Sequence, residues 1–310
     1  MVGADFSDLP AASSAVRQGV GGLVLFGMPS AGTGPSIVAG LAALQAEARV
    51  HVLMATDEEG GGVARLADVI GSMPWPRQMA GTMTPEQVRT LVTERAKAMA
   101  GLGIDMDLGP VLDTASNSDP VDEEALRSFS EDGSTAASYG LAFIAGLRAG
   151  GVIATAKHFP GLGHANADTD LGPATDPPLS ELVGNDLVPF RAAIADGVGS
   201  VMMSNVTEPS WGSLPASLNP NAYSYLRSLG FGGVIITDAL NAGAIRDAGY
   251  SAPQAVVKAI EAGADIAMVA ALSDFEPALA DLERAVQDGQ LSMTQVTKSV
   301  ERILQLKHMA

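Results

Sequence analysis

The chain has 310 residues, 47% of them hydrophobic and 17% charged, with a mean hydropathy of +0.21. That composition buries a full core and excludes a disordered chain. Eighteen basic against 35 acidic residues leave a net charge of −17, which argues against nucleic acid or an anionic membrane as partner, since both need a basic footprint.

The absence of cysteine removes disulfide frameworks, thiolate metal sites and cysteine nucleophiles together, without fixing the compartment. Met1 to Asp5 lacks the basic and apolar regions of a signal peptide, so a cytoplasmic location is expected; an upstream start would leave room for an export sequence. Gly19 to Ala46 carries no charge, but Pro29, Ser30, Gly32, Thr33, Gly34, Pro35 and Ser36 divide it into pieces too short to span a membrane.

Short apolar runs recur in chain order: Gly22–Phe26, Val50–Thr56, Ile104–Leu108, Val152–Ala156, Ser200–Ser204, Gly233–Thr237 and Asp265–Val269. Runs this apolar suit parallel strands covered on both faces. Helical patterns lie between them, at Pro85–Gly101, Ser134–Ala149, Leu187–Ala195, Ala252–Ala262 and Ser292–Lys307, the last with Ser292 as N-cap. Seven strands alternating with helices, plus a stub at Met1–Phe6 as the end of an eighth, predict an α/β fold: a TIM-type (β/α)8 barrel, one domain over residues 1–310. Met1 falls inside the first strand, which leaves two alternatives: a start further upstream, or a barrel lacking part of one stave. A doubly wound open sheet is the competing fold. It lacks support from a G-x-G-x-x-G after a strand or a G-x-x-x-x-G-K-[ST].

Active sites of such barrels sit at the C-terminal ends of the strands. Strand three ends in Asp57-Glu58-Glu59-Gly60-Gly61-Gly62 with Arg65 beyond, and strand four leads to Asp113. Strand five ends in Lys157-His158-Phe159-Pro160-Gly161, strand six at Ser204-Asn205 and strand seven at Thr237-Asp238. Each group alone reads equally well as a cap or ion-pair partner, but several converging on one rim form a constellation. The loops over about 58–84, 113–133 and 160–180 are long enough to be functional. The last is Gly-rich and polar, as a lid would be. Asp238 is placed to attack carbon or take a proton. Lys157 is placed to form a Schiff base, as in barrel aldolases, or to stay charged and bind a hydroxyl. Only four histidines occur, none at i, i+4 spacing, so neither metal nor cofactor is expected, a carboxylate-only magnesium site being the alternative.

These residues resemble the catalytic barrel of glycoside hydrolase family 3, most closely its single-domain bacterial β-N-acetylglucosaminidase branch. The resemblance runs through Gly21–Phe26, Asp57–Arg65, Gly103–Asp113, Arg127-Ser128-Phe129, Lys157–Gly163, Gly230–Asp238 and Arg302-Ile303-Leu304. It implies a retaining double displacement with Asp238 as nucleophile, and places Asp57, Arg65, Arg127, Lys157 and His158 on the sugar. Asn205 stands where the branch usually has a histidine that ends strand six, and is a further candidate for substrate binding. In the branch the loop after strand five carries Asp-Ser-His, whose His acts as acid/base with the Asp. Here the aligned residues are Asp168-Thr169-Asp170. Asp170, Asp168 and His164 are therefore the candidate acids. Glu58 replaces a usual Gln, Gly62 a usual Arg, and Ala239 the Asp that commonly follows the nucleophile. Losing a general acid costs about 10²–10⁴-fold in rate, so a catalytically impaired sugar-binding protein on the same barrel is the alternative function. The expected partner is a carbohydrate, an amino sugar or muropeptide-like glycoside, and the expected state a monomer or weak dimer.

Overall fold

The computed structural model describes residues 1–116 and 124–308. Residues 117–123 of the loop predicted over 113–133 lie outside the described residues. Eight parallel strands form the sheet: β1 (Val2–Asp5), β2 (Gly22–Phe26), β3 (Leu53–Thr56), β4 (Met106–Asp107), β5 (Ile153–Phe159), β6 (Ser200–Met203), β7 (Val234–Ala239) and β8 (Ile266–Met268). They pair in chain order. A parallel bridge from Val2 to Val269 closes the ring, with Gly3 N–H donating to Val269 O at 2.9 Å and Val269 N–H to Met1 O at 3.1 Å. The fold is the predicted TIM-type barrel. Its first stave is in register with β2 from Val2 to Asp5.

Most strand bounds shift from the sequence reading by one to three residues, and two of the shifts bear on the site. β5 runs on through Lys157-His158-Phe159 instead of stopping at Ala156. Its ladder continues because segment 109–112 pairs with it, Leu112 N–H donating to Lys157 O and Lys157 N–H to Pro110 O. β4 itself shortens to Met106–Asp107, since Pro110 cannot donate to a ladder. The loop after β3 holds an antiparallel hairpin, Glu58–Gly60 against Val63–Ala64.

Side chains alternate across each strand, and this alternation builds two cores. One row faces the helices: Leu23, Leu25, Met54, Ala154, Ala156, Val201 and Ile235. The other fills the lumen: Val24, Leu53, Ala55, Met106, Ile153, Met202, Val234, Ile236 and Met268. Leu306 and Ile303 of the C-terminal helix Met293–Lys307 pack into that lumen core as well. Among the described residues no helix is long and apolar enough to cross a membrane.

Candidate active site

The lumen-facing row dictates what stands at the mouth. Leu53 and Ala55 are followed at the same two-residue spacing by Asp57, Ile153 and Thr155 by Lys157, and Val234 and Ile236 by Asp238. All three line one cavity of about 490 Å³, within the range of small-molecule sites. The same cavity is walled by Glu59, Arg65, Arg127, His158, Asp168, Thr169 and Asp170.

A charge network ties the rim together. Lys157 Nζ lies 3.0 Å from Asp57 Oδ1 and 2.6 Å from Glu59 Oε1. Glu59 in turn accepts from Arg127 Nε and Nη2, both at 2.8 Å. This carboxylate, only 1% exposed, joins the rim network although reading the strand ends did not single it out. Burial would push its carboxyl up, but the Arg127 and Lys157 cations outweigh burial and hold it well below the usual range. Burial would likewise lower Lys157. Asp57 and Glu59 reverse that, so the ammonium stays charged and a Schiff base has no neutral amine to start from. Arg65 sits over the Phe26 ring at 5.8 Å, 3.8 Å from Asp57 Oδ2, and its Nε has no partner among the described residues.

His158 is held by Asp113, which arrives on the segment paired to β5. Asp113 Oδ2 lies 2.6 Å from His158 Nδ1, while its Oδ1 accepts the backbone N–H groups of His158 at 3.0 Å and Leu162 at 2.8 Å. Burial alone would lower the imidazole. The Asp113 carboxylate outweighs it, and Asp238 adds to the effect, so His158 is raised and Asp113 lowered. In its protonated form the imidazole has two donors, of which Nδ1 meets Asp113.

Asp238 sits at the end of β7, with Oδ1 accepting the Ala239 N–H at 2.7 Å. Asn205 does not line the cavity. It is fully buried, donates Nδ2 to Ala239 O at 2.9 Å and accepts from Ser217 Oγ at 2.6 Å, bracing the backbone beside Asp238. In the loop after β5, Asp170 and Asp168 face the cavity. Asp170 as a whole residue is exposed, yet its carboxyl is partly walled from water. That desolvation, with the charges of Asp238 and Asp168, pushes it above the usual carboxylate range. His164 points elsewhere: its Nδ1 lies 2.6 Å from Asp186 Oδ1, which also accepts from Thr114, and it is not among the residues lining the cavity.

The site is a barrel mouth with fixed cations and carboxylates suited to paired hydroxyl recognition, with Asp238 and Asp170 lining the same cavity. Comparison with known proteins agrees. The profile described as glycosyl hydrolase family 3 N terminal domain matches residues 10–306. The chain belongs to glycoside hydrolase family 3. It is 38% identical over 264 residues to the β-hexosaminidase LpqI of Mycobacterium tuberculosis, covering 82% of this chain and 67% of that protein. It is 36% identical over 238 residues to a β-hexosaminidase of Stenotrophomonas maltophilia, covering 74% of this chain and 70% of the relative. A solved family 3 glycosyl hydrolase of Mycobacterium smegmatis superposes with a TM-score of 0.90 at 34% identity, over 98% of this chain and 94% of that one. A β-N-acetylglucosaminidase from Paenibacillus gives 0.91 at 31%, over 99% of this chain and 61% of that one. This family 3 member is an O-glycosyl hydrolase, similar to the β-N-acetylhexosaminidases.

Proposed function

We propose that the protein hydrolyses terminal β-linked N-acetylhexosaminides with retention of configuration. The observation that carries this reading is the position of Asp238, last in an inward row of β7, in one cavity with Asp57, Arg65, Arg127, Lys157 and His158. The relatives named β-hexosaminidases support the choice of sugar. In the first step the Asp238 carboxylate attacks the anomeric carbon as the glycosidic C–O bond breaks, and an acid gives its proton to the departing oxygen. In the second, the same acid, now a carboxylate, takes a proton from water. The water oxygen attacks the anomeric carbon and releases Asp238. Of the three candidate acids, Asp170 is favoured: it lines the cavity with Asp238, and burial with the Asp238 and Asp168 charges raises its carboxyl above the usual range. Asp168 accepts the Asp170 N–H and shapes the loop, while His164 is engaged by Asp186. Lys157, Arg127, Asp57, Arg65 and His158 hold the sugar hydroxyls rigidly.

The test is a panel of 4-nitrophenyl β-glycosides with intact-protein mass measured after reaction with a slowly turned-over fluorinated glycoside. The expected result is turnover of the N-acetylglucosaminide and a mass increase of one glycosyl unit, both lost in Asp238→Asn. Tight sugar binding by calorimetry without turnover would instead favour the impaired sugar-binding protein.

A further inference from the structure

The loop bearing Asp170 is docked on the element that follows the nucleophile strand. Two N–H groups at the start of the helix Gly243–Asp247 reach back to it: Gly243 donates to Asp170 O at 2.9 Å and Ala244 to Thr169 O at 3.0 Å. First-turn N–H groups have no acceptor within their own helix, so they are available for such a bond. The approach is close. A Cβ at Gly243 would lie 2.4 Å from the Leu171 carbonyl carbon, 2.5 Å from its oxygen and 2.6 Å from Gly172 N, all backbone atoms that cannot rotate away. Glycine is required here by space, not by an unusual φ, since Gly243 is not among the residues of positive φ. On the other side, Asp168 Oδ1 accepts the Asp170 N–H at 2.8 Å and closes the turn. Leu171, between these anchors, is 82% exposed and adds no hydrophobic anchor of its own.

We propose that Gly243 is a positioning residue for glycoside cleavage: its missing side chain lets the 168–172 loop seat on the helix start, and that seat holds the Asp170 carboxyl in the cavity it shares with Asp238. The inference rests on Asp170 being the acid. Loop and nucleophile are thereby tied to a single stretch of chain, Asp238 to Ala244, so the spacing of the two carboxyls does not depend on the stiffness of a Gly-rich segment.

The experiment compares Gly243→Ala, Ala244→Pro, Asp170→Asn and the unaltered protein on aryl N-acetyl-β-glucosaminides of graded leaving-group acidity. Ala244→Pro deletes one of the two N–H donors at a first-turn position where proline is tolerated, and serves if Gly243→Ala fails to fold. Proton donation matters most for poor leaving groups. A displaced acid therefore lowers kcat/KM on the least acidic aglycone by about 10²-fold, approaching Asp170→Asn, yet by less than about threefold on the dinitrophenyl glycoside. Hydrogen exchange of loop amides is expected to quicken in both variants. A uniform fall across the series, or none, overturns the proposal. So does an Asp170→Asn variant with no leaving-group dependence, which removes its premise. If instead Asp238→Asn stays fully active, the proposed function fails, a result read from a different variant.

Discussion

Replacing Glu58 by glutamine is expected to make the protein more stable, and only at the upper end of the pH range. Glu58 is completely buried beneath the rim. Its Oε2 accepts the Leu66 N–H at 2.9 Å, its Oε1 has no partner among the described residues, and its own N–H binds Asp107 Oδ1 at 3.0 Å. Burial, reinforced by the Asp107 and Asp57 charges against the Leu66 hydrogen bond and Arg95, pushes its carboxyl from 4.5 up to about 8. In the folded chain the proton is therefore kept, while the unfolded chain loses it near 4.5. Stability falls as pH rises through that window and levels off above about 8. The interval of about 3.5 pH units, at about 1.36 kcal/mol each, sets a ceiling of about 5 kcal/mol. Glutamine is neutral, similar in shape, and keeps an oxygen for Leu66. In thermal melts from pH 5 to 9, the two proteins should coincide near pH 5 and separate progressively above it. At pH 9 the variant should melt higher by up to about 10 °C, at about 2 °C per kcal/mol for a chain this long. Parallel curves would refute the reasoning and mean that Glu58 ionises in the folded state as it does in water.

Three more perturbations follow from the same geometry. Glu59→Gln removes the negative charge shared by Arg127 and Lys157 and leaves a nearly buried ammonium with Asp57 as its charged partner; a loss of about 3–5 kcal/mol in melts and a raised KM are expected. Asp113→Asn removes the charge that raises His158 against burial, so any rise in KM that follows loss of the imidazole proton is expected at lower pH than in the unaltered protein, which a KM–pH profile reads directly. Asp170→Asn should lower kcat about 10²–10⁴-fold. Because Asp170 is raised, the wild-type rate should fall with pH later than an ordinary carboxyl would dictate, and the variant should lose that limb while azide restores turnover.

Much of the barrel could be read from β-branched runs separated by amphipathic helices, and three site residues were visible for a related reason. Two-residue alternation carries Leu53-Ala55 to Asp57, Ile153-Thr155 to Lys157 and Val234-Ile236 to Asp238, so a polar residue after such a row is aimed into the mouth. Glu59 escaped notice because Asp57-Glu58-Glu59 looks like one acidic run. The hairpin turn sends Glu58 to Leu66 and Glu59 to Lys157 and Arg127, a divergence no local pattern records. The placements of His164 and Asn205 depend on Asp186 and on Ser217 with Ala239, partners distant in sequence or in another strand. Glycine at 243 carried no sequence signal either, since it is demanded by a loop some seventy residues earlier.

The far end of the barrel also bears on the chemistry. Ile303 and Leu306 sit like a stopper in the lumen below Val24, Met202 and Met268, three residues that form the cavity floor, and Arg302 and Ser299 bolt that helix to Asp265 at 2.8 Å each. The apolar packing next to the cavity is thus continued from the opposite side of the molecule. Trimming the segment Ser292–Lys307 would uncover the lower layer of that packing while the other side chains of the lumen core still fill the ring, and would remove no residue that lines the cavity.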